Sequence, residues 1–155
     1  MVILGIDPGT TRVGYGVVEQ KGSRFFHLES GLLSTSSGTL SERLVFLEGK
    51  LEALLLKVRP QVAGVESVYF YKNQKTAIEV AEARGVVLLA LERHAVSLVE
   101  LSPPEVKLAV SGDGGASKAA VARMVSHFLG ASVEKKLDDV TDALAIAIAA
   151  SGRRL

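Results

Sequence analysis

Apolar and polar positions along this chain switch between a two-residue and a three-to-four-residue period. The short apolar run from Val2 to Ile6 stops at Asp7-Pro8-Gly9, the pattern of a buried strand entering a tight turn. Gly14 to Val18 and Phe25 to Leu33 read as two more strands, separated by the polar turn Gln20-Lys-Gly-Ser23, so a three-stranded meander opens the fold. Thr39-Leu-Ser-Glu42 has the form of a capping box. Leu40, Leu44, Leu47, Leu51, Leu54, Leu55 and Val58 then recur at helical spacing and predict a helix that ends near Pro60.

Val62 to Glu66 predicts a short strand that delivers a carboxylate at its end, and a helix follows from about Lys75 to Arg93. Ser97 to Leu101 is a further strand. Pro103-Pro104 suits the first turn of a short helix carrying Val106, Lys107 and Val110. Beyond the Gly-rich loop Gly112 to Ser117, the stripe Ala120, Val121, Met124, Val125 and Phe128 predicts another helix, with Ser117 as N-cap and Gly130 at its end. The last helix, Asp138 to Ala150, starts with acids that complement the helix dipole and then turns apolar nearly all round, so it must be buried. The expected order is β-β-β-α-β-α-β-α-α-α.

At 155 residues, with 48% hydrophobic and 23% charged positions, the chain is expected to form one domain over residues 1–150 with a short tail at 151–155. The absence of cysteine excludes disulfides and thiolate metal sites and leaves carboxylate oxygens as the main metal option. The N-terminus resembles neither a signal peptide nor a membrane span, and the cytoplasm is the expected compartment. With 18 Lys and Arg against 17 Asp and Glu, the net charge of +1 carries no general signature of nucleic-acid binding, so any such reading rests on local residues.

Three places put acids where a buried sheet ends: Asp7 after the first strand, Glu66 after the fourth, and Asp139 with Asp142 at the start of the last helix. Asp139 and Asp142 stand three residues apart and therefore project from one helix face. Carboxylates gathered in one place repel, and a divalent cation relieves that repulsion. All-oxygen ligands favour Mg²⁺ or Mn²⁺, and two such ions roughly 3.5–4 Å apart stabilise both the attacking and leaving oxygens of a phosphodiester displacement. Each acid alone has an ordinary explanation. Asp-Pro-Gly is a common turn and Asp139 could serve the helix dipole, whereas Glu ending an apolar strand is less usual.

The ordered set Ile3 to Gly9, Gly14-Tyr-Gly-Val17, Val65-Glu66, Lys72-Asn73, Ala83-Arg-Gly-Val86, Val106-Lys107, Ala116-Ser-Lys118 and Asp139 to Ile148 resembles the RuvC family of Holliday junction resolvases in order and spacing. The resemblance runs from residue 1 to about 150. It implies an α/β, RNase H-like mixed five-stranded sheet flanked by helices, a homodimer, and divalent-metal cleavage of four-way junction DNA by paired, symmetric nicks during recombination and repair. It puts Asp7, Glu66, Asp139 and Asp142 on the family's catalytic, metal-holding acids. Asp138 is the local alternative to Asp139, and the family's spacing to Asp142 favours Asp139. It also implies Mg²⁺, two ions per subunit, with Mn²⁺ able to substitute, and RuvA and RuvB branch-migration proteins as partners. The implied dimer contact runs along the helix after the aromatic loop, through Ala77, Val80, Ala81, Val86 and Val87, residues that could equally face the monomer's own core.

Tyr69-Phe-Tyr-Lys72 follows Glu66, and three consecutive aromatics cannot all enter one core. Stacking of an exposed ring on an unpaired base contributes about 1–3 kcal/mol. The resemblance assigns that contact to Tyr69 and leaves Phe70 for the core. Lys72, and by resemblance Lys107 and Lys118, are candidate DNA contacts through attraction to phosphate. Glu105 and Asp113 depart from the family pattern, which predicts weaker or more salt-sensitive DNA binding. His27, His94 and His127 lie outside these motifs. Gly5-Ile-Asp-Pro-Gly-Thr-Thr11 is also similar to the phosphate loop of actin-like ATPases, but that class needs two domains. An RNase H-like nuclease acting on RNA or a hybrid, and a non-catalytic RNase H-like scaffold, are the remaining alternatives.

Overall fold

A computed structural model of the chain describes residues 1–9, 12–33, 38–67, 74–133 and 137–152, with residues 74–76 described in backbone only. The elements follow the expected order: β1 (Val2–Pro8), β2 (Val13–Lys21), β3 (Arg24–Leu32), α1 (Leu40–Val58), β4 (Val62–Glu66), α2 (Gln74–Arg93), β5 (Ser97–Leu101), α3 (Pro103–Ser111), α4 (Lys118–Leu129) and α5 (Asp138–Ala150). They form one five-stranded sheet in the order β3-β2-β1-β4-β5. The first three strands are antiparallel, and β4 and β5 run parallel to β1, which makes the sheet mixed.

Strand β1 runs past its expected end, because Asp7 and Pro8 still pair with Gly14 and Val13 of β2. Asp7 therefore belongs to the sheet, not to the turn that follows it. Side chains alternate across a strand. Leu4 and Ile6 of β1, with Ala63 and Val65 of β4, enter the buried layer shared with α1 and α2. Ile3 and Val62 enter the opposite layer, shared with α3, α4 and α5. The same alternation directs Asp7 and Glu66 to the α5 face.

Local chemistry sets the helix ends. Thr39 and Glu42 form the expected capping box on α1, and Arg59 closes the helix in the left-handed conformation with φ 45°. A second capping box, missed in the sequence, joins Ser102 and Glu105: a Glu105 carboxylate oxygen accepts from the Ser102 backbone N–H at 2.8 Å and from its hydroxyl at 2.6 Å. Glu105 is thus tied into the start of α3, and its departure from the family pattern has a structural use. Asp113 accepts from the Gly115 N–H at 2.8 Å and so orders the Gly-rich loop. Ser117 caps α4 and Gly130 ends it, as expected.

Helix α5 lies unusually close to the sheet. Every residue from Val140 to Ala150 except Asp142 is buried. The strands beneath present glycine where the helix crosses: Gly14 and Gly16 on β2, Gly5 on β1 and Gly64 on β4. A Cβ on Gly5 would stand 2.5 Å from the Ala147 nitrogen and closer still to the Ala143 carbonyl oxygen. One on Gly14 would overlap the backbone of Asp139 itself. Both obstacles are backbone, which cannot rotate away as a side chain can.

We therefore expect Gly5→Ala to destabilise the fold by about 3 kcal/mol or more, the upper range for overpacking a tight core. Gly49→Ala, on α1 with open space around it, should instead stabilise by roughly 0.5–1 kcal/mol. Denaturant unfolding of both variants measures the two effects, and equal shifts would contradict the close-approach reading.

Candidate active site

The carboxyl ends of parallel strands are where open α/β sheets gather ligands. Asp7 and Glu66 occupy those ends on neighbouring strands, one residue beyond the paired Ile6 and Val65. The first turn of α5 then descends onto Gly14, the residue opposite Asp7, and carries Asp139 with it. Leu137 is the N-cap of α5 and makes no side-chain capping bond, so the acids of the first turn are not used as caps. Asp138 points outward with its side chain 82% exposed, whereas the Asp139 side chain is 34% exposed and acts electrostatically on Asp7. Asp139 is thus the less exposed of the two and the one that acts on Asp7, while both act on Asp142.

Asp7, Glu66, Asp139 and Asp142 therefore interact as one cluster. Burial, then the charges of Glu66, Asp142 and Asp139, push the Asp7 carboxyl up to about 8 from its ordinary 3.8. A side-chain hydrogen bond between Asp7 and Glu66 favours the proton on Asp7, raising the first group and lowering the second. Glu66 is nonetheless raised, because burial and the Asp142 charge outweigh that bond. Burial also raises Asp142, against the opposing pull of Lys118. Three acids are thus displaced in the same direction, with burial as the first cause and repulsion among the acids adding to it.

Among the described residues, Lys118 and Arg12 pair with acids of the cluster. Lys118, the first residue of α4, lies 3.3 Å from Asp142 and 3.7 Å from Asp138, and the Asp142 charge in turn raises the lysine. Arg12, just before β2, lies 3.7 Å from Asp139. In this arrangement no group of three or more Asp, Glu or His side chains among the described residues is oriented to hold a metal ion. In its chemistry the donor set nevertheless suits a hard divalent cation, because it is all oxygen and carries several buried or half-buried carboxylates. Asp142 and Asp139 are paired instead with Lys118 and Arg12.

Lys107 and Lys118 share a cavity of about 220 Å³ with Glu66, Asp142, Val106 and Ile146. A second cavity, about 310 Å³, opens between α4 and α5 beside Lys118, Arg123, Asp138 and Asp142. Of the expected site residues, the four acids and these two lysines thus meet in one region. Tyr69 and Lys72, with Phe70 and Asn73, lie outside the described residues. The sequence gives no sign of Arg12, since a lone arginine after a turn carries no local signal, yet it pairs with Asp139. Of the contact stripe implied on α2, Ala77, Val80, Ala81 and Val86 are half-buried and only Val87 is fully covered. Val87 is wholly buried in the monomer's own core and Val86 packs against that core, while Ile78 and Leu89 are the exposed apolar residues of the helix. No helix among the described residues is long and apolar enough to cross a membrane.

A family model described as crossover junction endodeoxyribonuclease RuvC matches residues 3–150. The crossover junction endodeoxyribonuclease RuvC of Brachyspira hyodysenteriae is 43% identical over 154 residues, covering 99% of this chain and 95% of that one. The protein of the same description from Carboxydothermus hydrogenoformans is 44% identical over 149 residues, with coverage of 96% and 94%. Among solved structures, Thermus thermophilus RuvC in complex with a Holliday junction substrate superposes with a TM-score of 0.91 at 36% identity, covering 96% of this chain and 92% of that chain. The yeast mitochondrial Holliday junction resolvase shares the fold, with a TM-score of 0.66 at 18% identity, covering 95% of this chain and 77% of its own.

The raised acids set a pH dependence. Folded Asp7 retains a proton that the unfolded chain releases above about 3.8, so the cation-free protein should lose stability as pH rises from about 4 to about 8. Asp7→Asn removes the largest part of that slope and should melt above the wild type at pH 8 by a wider margin than at pH 5. Thermal melts in chelator at a series of pH values measure it, and parallel curves for the two proteins would contradict the cluster electrostatics.

Proposed function

The chain belongs to the family of the crossover junction endodeoxyribonuclease RuvC, and from that premise we propose that it resolves four-way DNA junctions with Asp7, Glu66, Asp139 and Asp142 as its catalytic acids. The carrying observation is that these carboxylates meet on one face of the sheet, beneath α5, with lysines at the edge of the cluster. The nuclease unit spans residues 1–150, and the protein acts in the cytoplasm, in recombination and repair.

The four acids hold divalent cations, by preference two Mg²⁺ per subunit with Mn²⁺ able to substitute. When bound, such cations supply a nucleophilic water at neutral pH and neutralise charge on the phosphodiester as it is displaced. The chain's own groups do the rest. Asp7 must give up the proton it shares with Glu66 before it can serve as a ligand, so loading is favoured as pH rises. Lys118 leaves Asp142 for a DNA phosphate, and Lys107, on the same cavity wall, holds the neighbouring backbone. Hydrolysis then proceeds without a covalent enzyme intermediate.

Tyr69 and Lys72, on the segment that follows β4, engage the crossover: the ring stacks on an unpaired base and the lysine draws phosphate. A homodimer suits the substrate, because a two-fold protein presents one acid cluster to each of two like strands. The contact runs along α2 through Ala77, Val80, Ala81 and Val86, together with the exposed Ile78 and Leu89, while Val87 stays in the monomer core. RuvA and RuvB, as branch-migration partners, deliver the junction.

With Mg²⁺, purified protein should nick a synthetic four-way junction symmetrically and leave plain duplex and single strand intact. Asp7→Asn or Glu66→Gln should slow cleavage by at least about a hundredfold, the scale of losing one stabilising group at a reacting centre, while junction binding survives. Indiscriminate cutting of an RNA–DNA hybrid would favour a general RNase H-like nuclease. Tyr69→Ala should give a folded dimer with impaired cutting, and wild-type rates from it would refute the stacking role.

A further inference from the structure

Arg12 lies in none of the motifs that carry the resemblance, yet it faces the acid cluster. Its position follows from the turn that leaves β1. A Cβ on Gly9 would overlap the Arg12 carbonyl oxygen, so the backbone doubles back tightly enough there to require glycine. Val13 then pairs with Pro8 as β2 begins. This geometry sets the Arg12 guanidinium beside Asp139, with Nε 3.7 Å from the carboxylate and the side chain 53% exposed.

Sheet order places the two flanking cations on opposite sides. Arg12 belongs to the β2 edge of the cluster, and Lys118 shares a cavity with Glu66 of β4, with β1 lying between those strands. A guanidinium has five N–H donors in a planar fork. Its contact with Asp139 is made by Nε at 3.7 Å and the side chain is 53% exposed, so the guanidinium remains accessible to a second partner. Arginine matches phosphate in that geometry, and a half-exposed contact of this length is readily exchanged.

We propose that Arg12 is a substrate-binding residue that exchanges partners: it balances Asp139 in the cation-free site and moves to a backbone phosphate of the DNA strand when a divalent cation takes its place. Lys118 and Arg12 then grip the strand on either side of the acids. The inference rests on the junction-cleaving reading for the identity of the DNA, but not for the exchange itself. It gives Arg12→Gln two effects of opposite sign. Without its guanidinium the cluster binds cations more tightly, whereas the protein binds DNA less tightly.

Mn²⁺ titration of the DNA-free protein, followed by electron paramagnetic resonance, should show Arg12→Gln binding the ion roughly two- to fivefold tighter, the range of one exposed charge contact. Binding to a four-way junction is then measured against salt with Ca²⁺ present and the DNA recovered intact. The slope of log K on log[salt] should fall by about one for each subunit engaged in Arg12→Gln, and Arg12→Lys should restore it. In chelator, where Arg12 stays with Asp139, the wild type and Arg12→Gln should have the same slope. Unchanged Mn²⁺ affinity with an unchanged slope overturns the proposal. So does joint weakening of both ligands with a lowered melting temperature, the mark of a purely structural residue. Wild-type protein that binds junction and duplex equally would overturn the junction reading instead, and the Arg12 slope would still be read on the duplex.

Discussion

The approach of α5 to the sheet governs the rest of the molecule. Three adjacent strands give up their side chains where the helix crosses, at Gly14 and Gly16, Gly5, and Gly64, and α5 answers with Ala143, Ala147 and Ala150. Ordinary side chains at those points would lift the helix away from the strands. The distance matters because Asp139 and Asp142 ride on the first turns of α5 while Asp7 and Glu66 are fixed in the sheet. Close packing is therefore what turns acids from three separate stretches of chain into one electrostatic unit.

Such a unit is unfavourable by itself. Asp7, Glu66 and Asp142 are all displaced toward their protonated forms, with burial as the first cause in each case. The chain limits the repulsion with a proton shared between Asp7 and Glu66, with Lys118 on Asp142, and with Arg12 on Asp139. Stability sacrificed at a reacting centre is a common correlate of activity, and the burial of α5 around it offsets the loss.

The remaining elements hold this arrangement in place. Alternation along β1 and β4 separates the core under α1 and α2 from the face that carries the acids. The capping boxes at Thr39 and Ser102 satisfy backbone donors at the starts of α1 and α3. The second of these sets the helix bearing Lys107, and the Ser117 cap starts the helix bearing Lys118, so both lysines sit on rigid supports, not on loops.

Element order and most helix boundaries were legible in the sequence, because apolar periodicity, caps and turn residues are local properties, whereas β1 and β2 each run two or three residues past their expected ends, held there by pairing. The four acids were legible too, since each ends a strand or opens a helix, and their ordered spacing resembles one family. Local signals could not say whether Asp138 or Asp139 faces inward; the rotation of α5, fixed by its contact with Gly14, decided that. Nor could they assign Val87 to the monomer core, because a helix with apolar residues on two sides does not reveal which side its own sheet will cover. Glu105 read as a departure until its bond to Ser102 was seen, and Arg12 gave no signal at all. Its relevance comes from a carboxylate more than a hundred residues away in sequence, brought within reach only when the sheet and the last helix pack together.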